Sequence, residues 1–223
     1  MKILAIETAT EACSAALAID EITNERYEVA PRKHTELILP MVESLLIEAN
    51  IKVSDLDAIA FGQGPGAFTG VRIAMGVVQG LAFAHDIPVI PISSLAALAQ
   101  HVADEQDCVA AAIDARMQEI YWGLFRKNNS GIMVADSEEI VCSPHDVIKM
   151  DKGNWFGVGS GWDTYSEELS SKFNGNLNGY NGNLFPTAQD ILALAKPLYQ
   201  SESMIPIEDA VPVYLRNKVT HNK

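Results

Sequence analysis

One order of elements occurs twice along this 223-residue chain: three strands, a helix, a strand and a helix. In the first pass KILAIE (2–7) reads as a buried strand, and the alternating CSAALAI (13–19) forms a hairpin with it. A short third strand falls near 27–30, and a helical stripe runs over 34–50, where Pro40 marks a kink or a late start. A strand over 56–62 and a helix over 69–85 complete that order, and a further strand over 87–92 and a serine-capped helix over 93–104 follow before the second pass. The second pass has strands at 108–115, 119–125 and 132–141, a short helix opened by Ser143-Pro144-His145-Asp146, a strand over 154–161 and a helix from about Asp163. A polar Asn/Gly loop (173–183) leads to a last helix over 187–200, which Pro197 ends or bends. Each pass also closes its first strand on an acid, Glu7 and Asp114. A repeat of this kind predicts an α/β chain of two similar lobes, 1–106 and 107–223, with a cleft between them. The final helix is placed to pack back on the first lobe.

Charge and composition narrow the function. The net charge is −13, and no basic stripe interrupts it, so the chain alone should be repelled by RNA or DNA. Any role at a nucleic acid would run through a more basic partner. No apolar run reaches the ~18 residues of a membrane span. The opening MKILAIET has no signal-peptide layout, and Cys13, Cys108 and Cys142 form neither a zinc pattern nor a disulfide framework. The expected compartment is the cytoplasm.

The stretch GQGPGAFTGVRIAMGVVQG (62–80) looks like a phosphate cradle but fails both tests. Val71-Arg72 follows Gly70 where a Walker A loop needs Lys and then Ser or Thr. Gly62, Gly64 and Ala67 fit a dinucleotide pattern, but the next strand ends without the acid that would hold a ribose. The helix that follows is apolar nearly all round, which predicts burial nearly all round. Gly76 and Gly80 cost it about 1 kcal/mol each relative to alanine, and a closely approaching backbone would offset that. Close packing inside the chain is one reading. The favoured one is a subunit interface, formed on this helix by Arg72, Ile73, Gly76, Val77, Gly80 and Ala84. His34, Leu37, Ile38, Met41 and Leu45 of the 34–50 helix would share it. Arg72 would pair with an acid across that interface or inside the lobe.

IETAT, KHTELILP, GQGPGAFTGVRIAMGVVQGLA, the IDAR of 113–116 and the late VPVYLR together resemble the bacterial TsaB (YeaZ) family, relatives of the TsaD, glycoprotease-like proteins. The resemblance spans essentially the whole chain and is densest over 1–115. It implies the actin-like ATPase (ASKHA) fold of two ribonuclease-H-like lobes. It also implies a place in the machinery that puts threonylcarbamoyl on adenosine 37 of tRNA. There such a chain is a non-catalytic scaffold or activating subunit, a homodimer alone and a heterodimer with TsaD, working with the ATPase TsaE and meeting tRNA only indirectly. TsaD-type chains hold a metal through two histidines four apart on a helix, a spacing that aims both at one ion. In IPISSLAALAQH those places hold Ser94 and Leu98, so no metal site is expected, and His101 reads as a lone surface residue.

The fold also suggests a nucleotide site in degenerate form. Glu7 and Asp114 stand where actin-like kinases place carboxylates, Thr8, Thr10 and Ser14 are possible phosphate donors, and Gly157, Gly159 and Gly161 are placed to line an adenine-side loop. The alternative is that both acids satisfy turn amides. No cofactor is expected for the chain by itself, with ATP or ADP held only in an assembled complex. A second function remains open: an ATPase or kinase, or a metallopeptidase-like hydrolase, working in the inter-lobe cleft. Against the hydrolase, His34 and Glu36 have no nucleophile elbow and no second metal histidine near them in sequence.

Overall fold

A computed structural model describes residues 1–150 and 152–216. β1 (Lys2–Glu7), β2 (Ala12–Ile19) and β3 (Ile22–Val29) form an antiparallel meander. β4 (Ala58–Gly62) and β5 (Val89–Ile92) add in parallel on the other side of β1, giving the order β3-β2-β1-β4-β5. Parallel neighbours need crossovers, and α1 (His34–Glu48) and α2 (Phe68–Phe83) lie in those connections. The second sheet has the order β11-β10-β6-β7-β8, with β9 also paired to β7. Its strands are β6 (Cys108–Arg116), β7 (Glu119–Lys127), β8 (Met133–Ala135), β9 (Ile140–Cys142), β10 (Trp155–Val158) and β11 (Leu177–Asn181).

Four helices complete the layers: α3 (Ser94–Gln100), α4 (Ser160–Thr164), α5 (Ser166–Ser170) and α6 (Ala188–Gln200). α1 and α2 cover one face of the first sheet, where Ile38, Val42, Leu45, Ala74 and Val78 meet Leu4, Ile6, Ile59 and Phe61. α6 covers the opposite face, laying Ile191, Leu192 and Ala195 on Ile3, Ala5 and Ala60. α3 packs Leu95, Leu98 and Ala99 against Val109, Ala111 and Phe125 of the second sheet. Trp162, Leu169 and Phe173 close that sheet's far side against Trp122 and Trp155. α3 and α6 also touch one another, so the two sheets are joined through adjacent helices.

The departures from the sequence reading have local causes. The segment expected as one strand over 132–141 is two short strands, parted by the acidic 136–139. The segment expected as a polar loop over 173–183 contains β11, an edge strand parallel to β10. β3 begins five residues before the strand expected at 27–30 and is likewise an edge strand. Edge strands carry polar residues on both faces, which erases the period-two signal. α3 stops at Gln100, and residues 101–105 turn rather than continue it to 104. Pro197 neither ends α6 nor leaves its last turn open, because its carbonyl accepts the Ser201 amide at 3.0 Å.

Candidate functional site

The glycine-rich stretch divides into two halves with different work. A Cβ on Gly66 would lie 2.4 Å from the Ala9 carbonyl oxygen, and one on Gly70 2.1 Å from that of Thr8. These glycines admit the chain just after β1, and the Ala67 amide donates to the Ala9 carbonyl there at 2.7 Å. Gly76 and Gly80 are different. A Cβ at either would meet nothing within 4 Å. Close packing inside the chain therefore accounts for the first half and not for the second. Their helix-propensity cost of about 1 kcal/mol each has no offset within the described residues.

α2 is two-faced rather than buried all round, as its apolar sequence predicts. Val71, Ala74, Met75, Val78 and Ala82 face the core, while Arg72, Gly76, Gly80 and Ala84 are exposed and Ile73 and Val77 half-buried. Phe83 on the outer side is 61% exposed, and Leu39 and Ile47 of α1 are 51% and 71% exposed. The proposed interface members on α1 separate in the same way. Leu37 and Met41 are half-buried at the edge of the core, but Ile38 and Leu45 belong to it. His34 is buried too, its Nε2 within 3.1 Å of the Ala12 carbonyl oxygen. Those three side chains are structural, because the stripe with the cleanest helical period is the one that meets the sheet.

The residues offered for a nucleotide are mostly committed to the fold. Glu7 is fully buried, and its carboxylate accepts from the Ala9 amide at 2.5 Å and the Ser94 hydroxyl at 2.9 Å. Burial pushes its pKa up to about 7 against those hydrogen bonds. The Thr8 hydroxyl donates to the Gly70 carbonyl at 2.7 Å, and the Ser14 hydroxyl accepts the Ala188 amide at 2.8 Å, the first amide of α6. Gly159 has φ +97° and lies against Ala112 and Leu98, so the loop around it is filled. Thus Ser94 and Leu98, which stand where TsaD-type ligands were sought, serve Glu7 and Gly159. Among the described residues no group of three or more His, Cys, Asp or Glu is placed to hold a metal ion.

Of the residues offered for a nucleotide, Asp114 and Thr10 reach open space. They line a cleft of about 430 Å³ between the hairpin tips of the two sheets, with Glu11, Ile113 and Arg116. The Asp114 carboxylate accepts from the Arg116 amide at 2.8 Å and the Arg116 guanidinium at 3.0 Å, which is the turn-satisfying alternative. The other wall is Gly66, Ala67, Phe68 and Arg72 from the start of α2, and Tyr214 and Arg216 close the space. Arg72 does not pair with an acid among the described residues. Its guanidinium carbon lies 3.6 Å from the Phe68 ring centre, and its Nε donates to the Tyr214 hydroxyl at 3.0 Å. That contact joins residues 142 apart, which no local pattern announces. Sequence reasoning noticed VPVYLR only as a resemblance and missed that it walls a cleft.

His101 lies at the surface, as expected, but it is not alone. Its Nδ1 lies 2.8 Å from Asp190 Oδ2, and that contact raises the imidazole pKa despite partial burial. Asp190 also accepts from the amide and hydroxyl of Thr187 in a capping box at the start of α6. The pair ties the end of α3 to the start of α6.

Known proteins share this fold. Residues 19–168 match the family model for TsaD, tRNA N6-adenosine threonylcarbamoyltransferase. The chain is 40% identical over its full length to the Escherichia coli tRNA threonylcarbamoyladenosine biosynthesis protein TsaB, covering 98% of that protein. The Haemophilus influenzae TsaB is 41% identical, with 100% of this chain and 97% of that protein covered. The solved structure of YeaZ from Pseudomonas aeruginosa superposes with a TM-score of 0.89 at 47% identity, covering 96% of this chain and 99% of that one. With the two sheets above, these likenesses give the two-lobed, actin-like α/β fold.

Proposed function

The chain belongs to the TsaB family of tRNA threonylcarbamoyladenosine biosynthesis proteins, and from that premise we propose that it is a non-catalytic, activating subunit that docks on TsaD through α2 and the adjoining outer side of α1. The observation that carries this reading is the open, glycine-notched outer face of α2. Two exposed glycines in a helix weaken it, and a partner backbone lying in the notch would offset that cost. Phe83, Ile47 and Leu39 flank the notch with apolar surface of the kind that interfaces bury. We place the ATPase TsaE in the same assembly and a homodimer in its absence.

The side chains best placed for catalysis are committed elsewhere, which supports a non-catalytic role. Glu7 is sealed, Ser94 is spent on Glu7, and Asp114 is neutralised by Arg116. A carboxylate sealed from solvent, or held by its own neighbouring guanidinium, is poorly placed to take a metal or a substrate proton. We therefore propose that ATP or ADP is held, if at all, by the assembled complex, and that tRNA contacts run through more basic partners, given the charge of −13. The test is to mix the full chain with TsaD from the same genome and weigh the complexes by light scattering. A one-to-one heterodimer that displaces self-association supports the reading. Two separate species at micromolar concentration, or ATP hydrolysis by the chain alone that falls in Asp114→Asn, would overturn it.

A further inference from the structure

Three arginines line the inter-lobe cleft, of which Arg116 and Arg216 are paired with acids and Arg72 is not paired with one among the described residues. α2 opens onto the cleft through Gly66, Ala67 and Phe68, and the helix is 16 residues long. Its N-cap, Ala67, has no side chain to accept an amide, and no acid stands in its first turn. The first amides of such a helix and its positive end call for an anion. Arg72 lies one turn further on, held between Phe68 and the Tyr214 hydroxyl, with no carboxylate partner among the described residues. An uncompensated guanidinium braced by aromatic rings is notable in a chain of net charge −13.

Two buried polar atoms point the same way. Thr10 lines the cleft, is only 6% exposed, and has a hydroxyl with no hydrogen-bond partner. Arg216 also lines it, and its Nε is buried without a partner, although its Nη2 donates to Glu119 and the Arg116 carbonyl and its Nη1 to the Met117 sulfur. Buried donors left unmade are costly, so sites that keep them commonly have an occupant to satisfy them. The acids nearby are already spent: Asp114 on Arg116, and Glu11 beside the same guanidinium at 3.4 Å. Ile113, Tyr121, Phe68 and Tyr214 give the remaining walls an apolar and aromatic character.

We infer that this cleft binds a small oxyanion without a metal: a phosphate or carboxylate group seated between the α2 N-terminus and Arg72, on a compact body that lies against the aromatic wall. Thr10 and Arg216 add donors once the ligand is in place. The seat shares its cleft, including Thr10 and Asp114, with the nucleotide site weighed from the sequence, but it uses neither Glu7, which is sealed, nor the Gly159 loop, which is packed shut. It does not depend on the pairing with TsaD.

Calorimetric titration of the full chain tests this, in chelator-containing buffer, with pyrophosphate, AMP and benzoate as separate probes. Saturable binding of at least one probe is expected. Binding of the first two with benzoate silent assigns a phosphate, and the reverse assigns a carboxylate. Arg72→Gln should weaken that binding about tenfold, as for loss of one charge-assisted contact, and Thr10→Val about threefold. Circular dichroism of both variants guards against a folding defect, and Arg72 is exposed enough for its substitution to leave the core intact. No saturable heat from any probe up to about 10 mM, affinity unchanged in a folded Arg72→Gln, or binding that requires magnesium and is lost in Asp114→Asn would each overturn the inference.

Discussion

Glu7 shows how far a single side chain can be read. The sequence places it at a strand end; only the fold shows that the Ala9 amide and the Ser94 hydroxyl enclose it. Its pKa of about 7 in the folded chain lies above the ordinary 4.5, so over that interval the native state keeps a proton that the unfolded state has released. Its contribution to stability is therefore greatest below pH 4.5 and declines as pH rises to about 7, by up to about 3 kcal/mol. Glu7→Gln keeps both hydrogen bonds, since the amide can accept from Ala9 and donate to the Ser94 hydroxyl. The variant should gain on the parent as pH rises. Urea unfolding near pH 5 and near pH 8 measures this, and a difference that does not grow with pH would contradict it. The partner of His101 was not legible for a related reason. Asp190 is 89 residues away, and only tertiary structure brings its carboxylate to the imidazole.

At the scale of elements, α2 yields the sharpest expectation. If its outer face is open in the single chain, Gly76→Ala and Gly80→Ala should each stabilise it by about 0.5–1 kcal/mol, read from urea midpoints at constant slope. Loss of stability in either would mean that something packs in the notch. The α3–α6 tie gives a second expectation. The pKa of His101 is raised by Asp190, so its contribution is complete below the unfolded value near 6.5 and fades as pH rises through the folded one. His101→Gln should therefore cost more stability near pH 6 than near pH 9, again by urea unfolding. The strongly apolar elements were legible: β1, β2, β4, β6, α1, α2 and α6 lie close to their expected places. β3 and β11 were not, because an edge strand such as LNGYN has no buried face to impose a pattern. Nor was the outward side of α2, since composition gives a helix's hydrophobicity but not which surface covers it.

For the whole molecule, the repeated order of strands and helices was enough to predict two α/β lobes with a cleft between them. It was not enough to populate the cleft, whose walls come from the two hairpin tips, the start of α2 and the distant Tyr214 and Arg216. α6 follows the second sheet in sequence but covers the first, so chain order and spatial order part there. A partner on α1 and α2 would sit on the side of the first sheet away from α6, with Arg72 at the end nearest the cleft. The central claim is that the outer side of α2 seats a foreign backbone. The most direct measurement is complex formation with TsaD by light scattering for the parent, Gly80→Ala and Gly80→Trp, with unfolding followed in parallel. Space at Gly80 lets the bulky variant fold, so Gly80→Trp should remain as stable as the parent within about 1 kcal/mol and yet form no heterodimer. A folded Gly80→Trp chain that still binds TsaD with the parent's affinity would contradict the account.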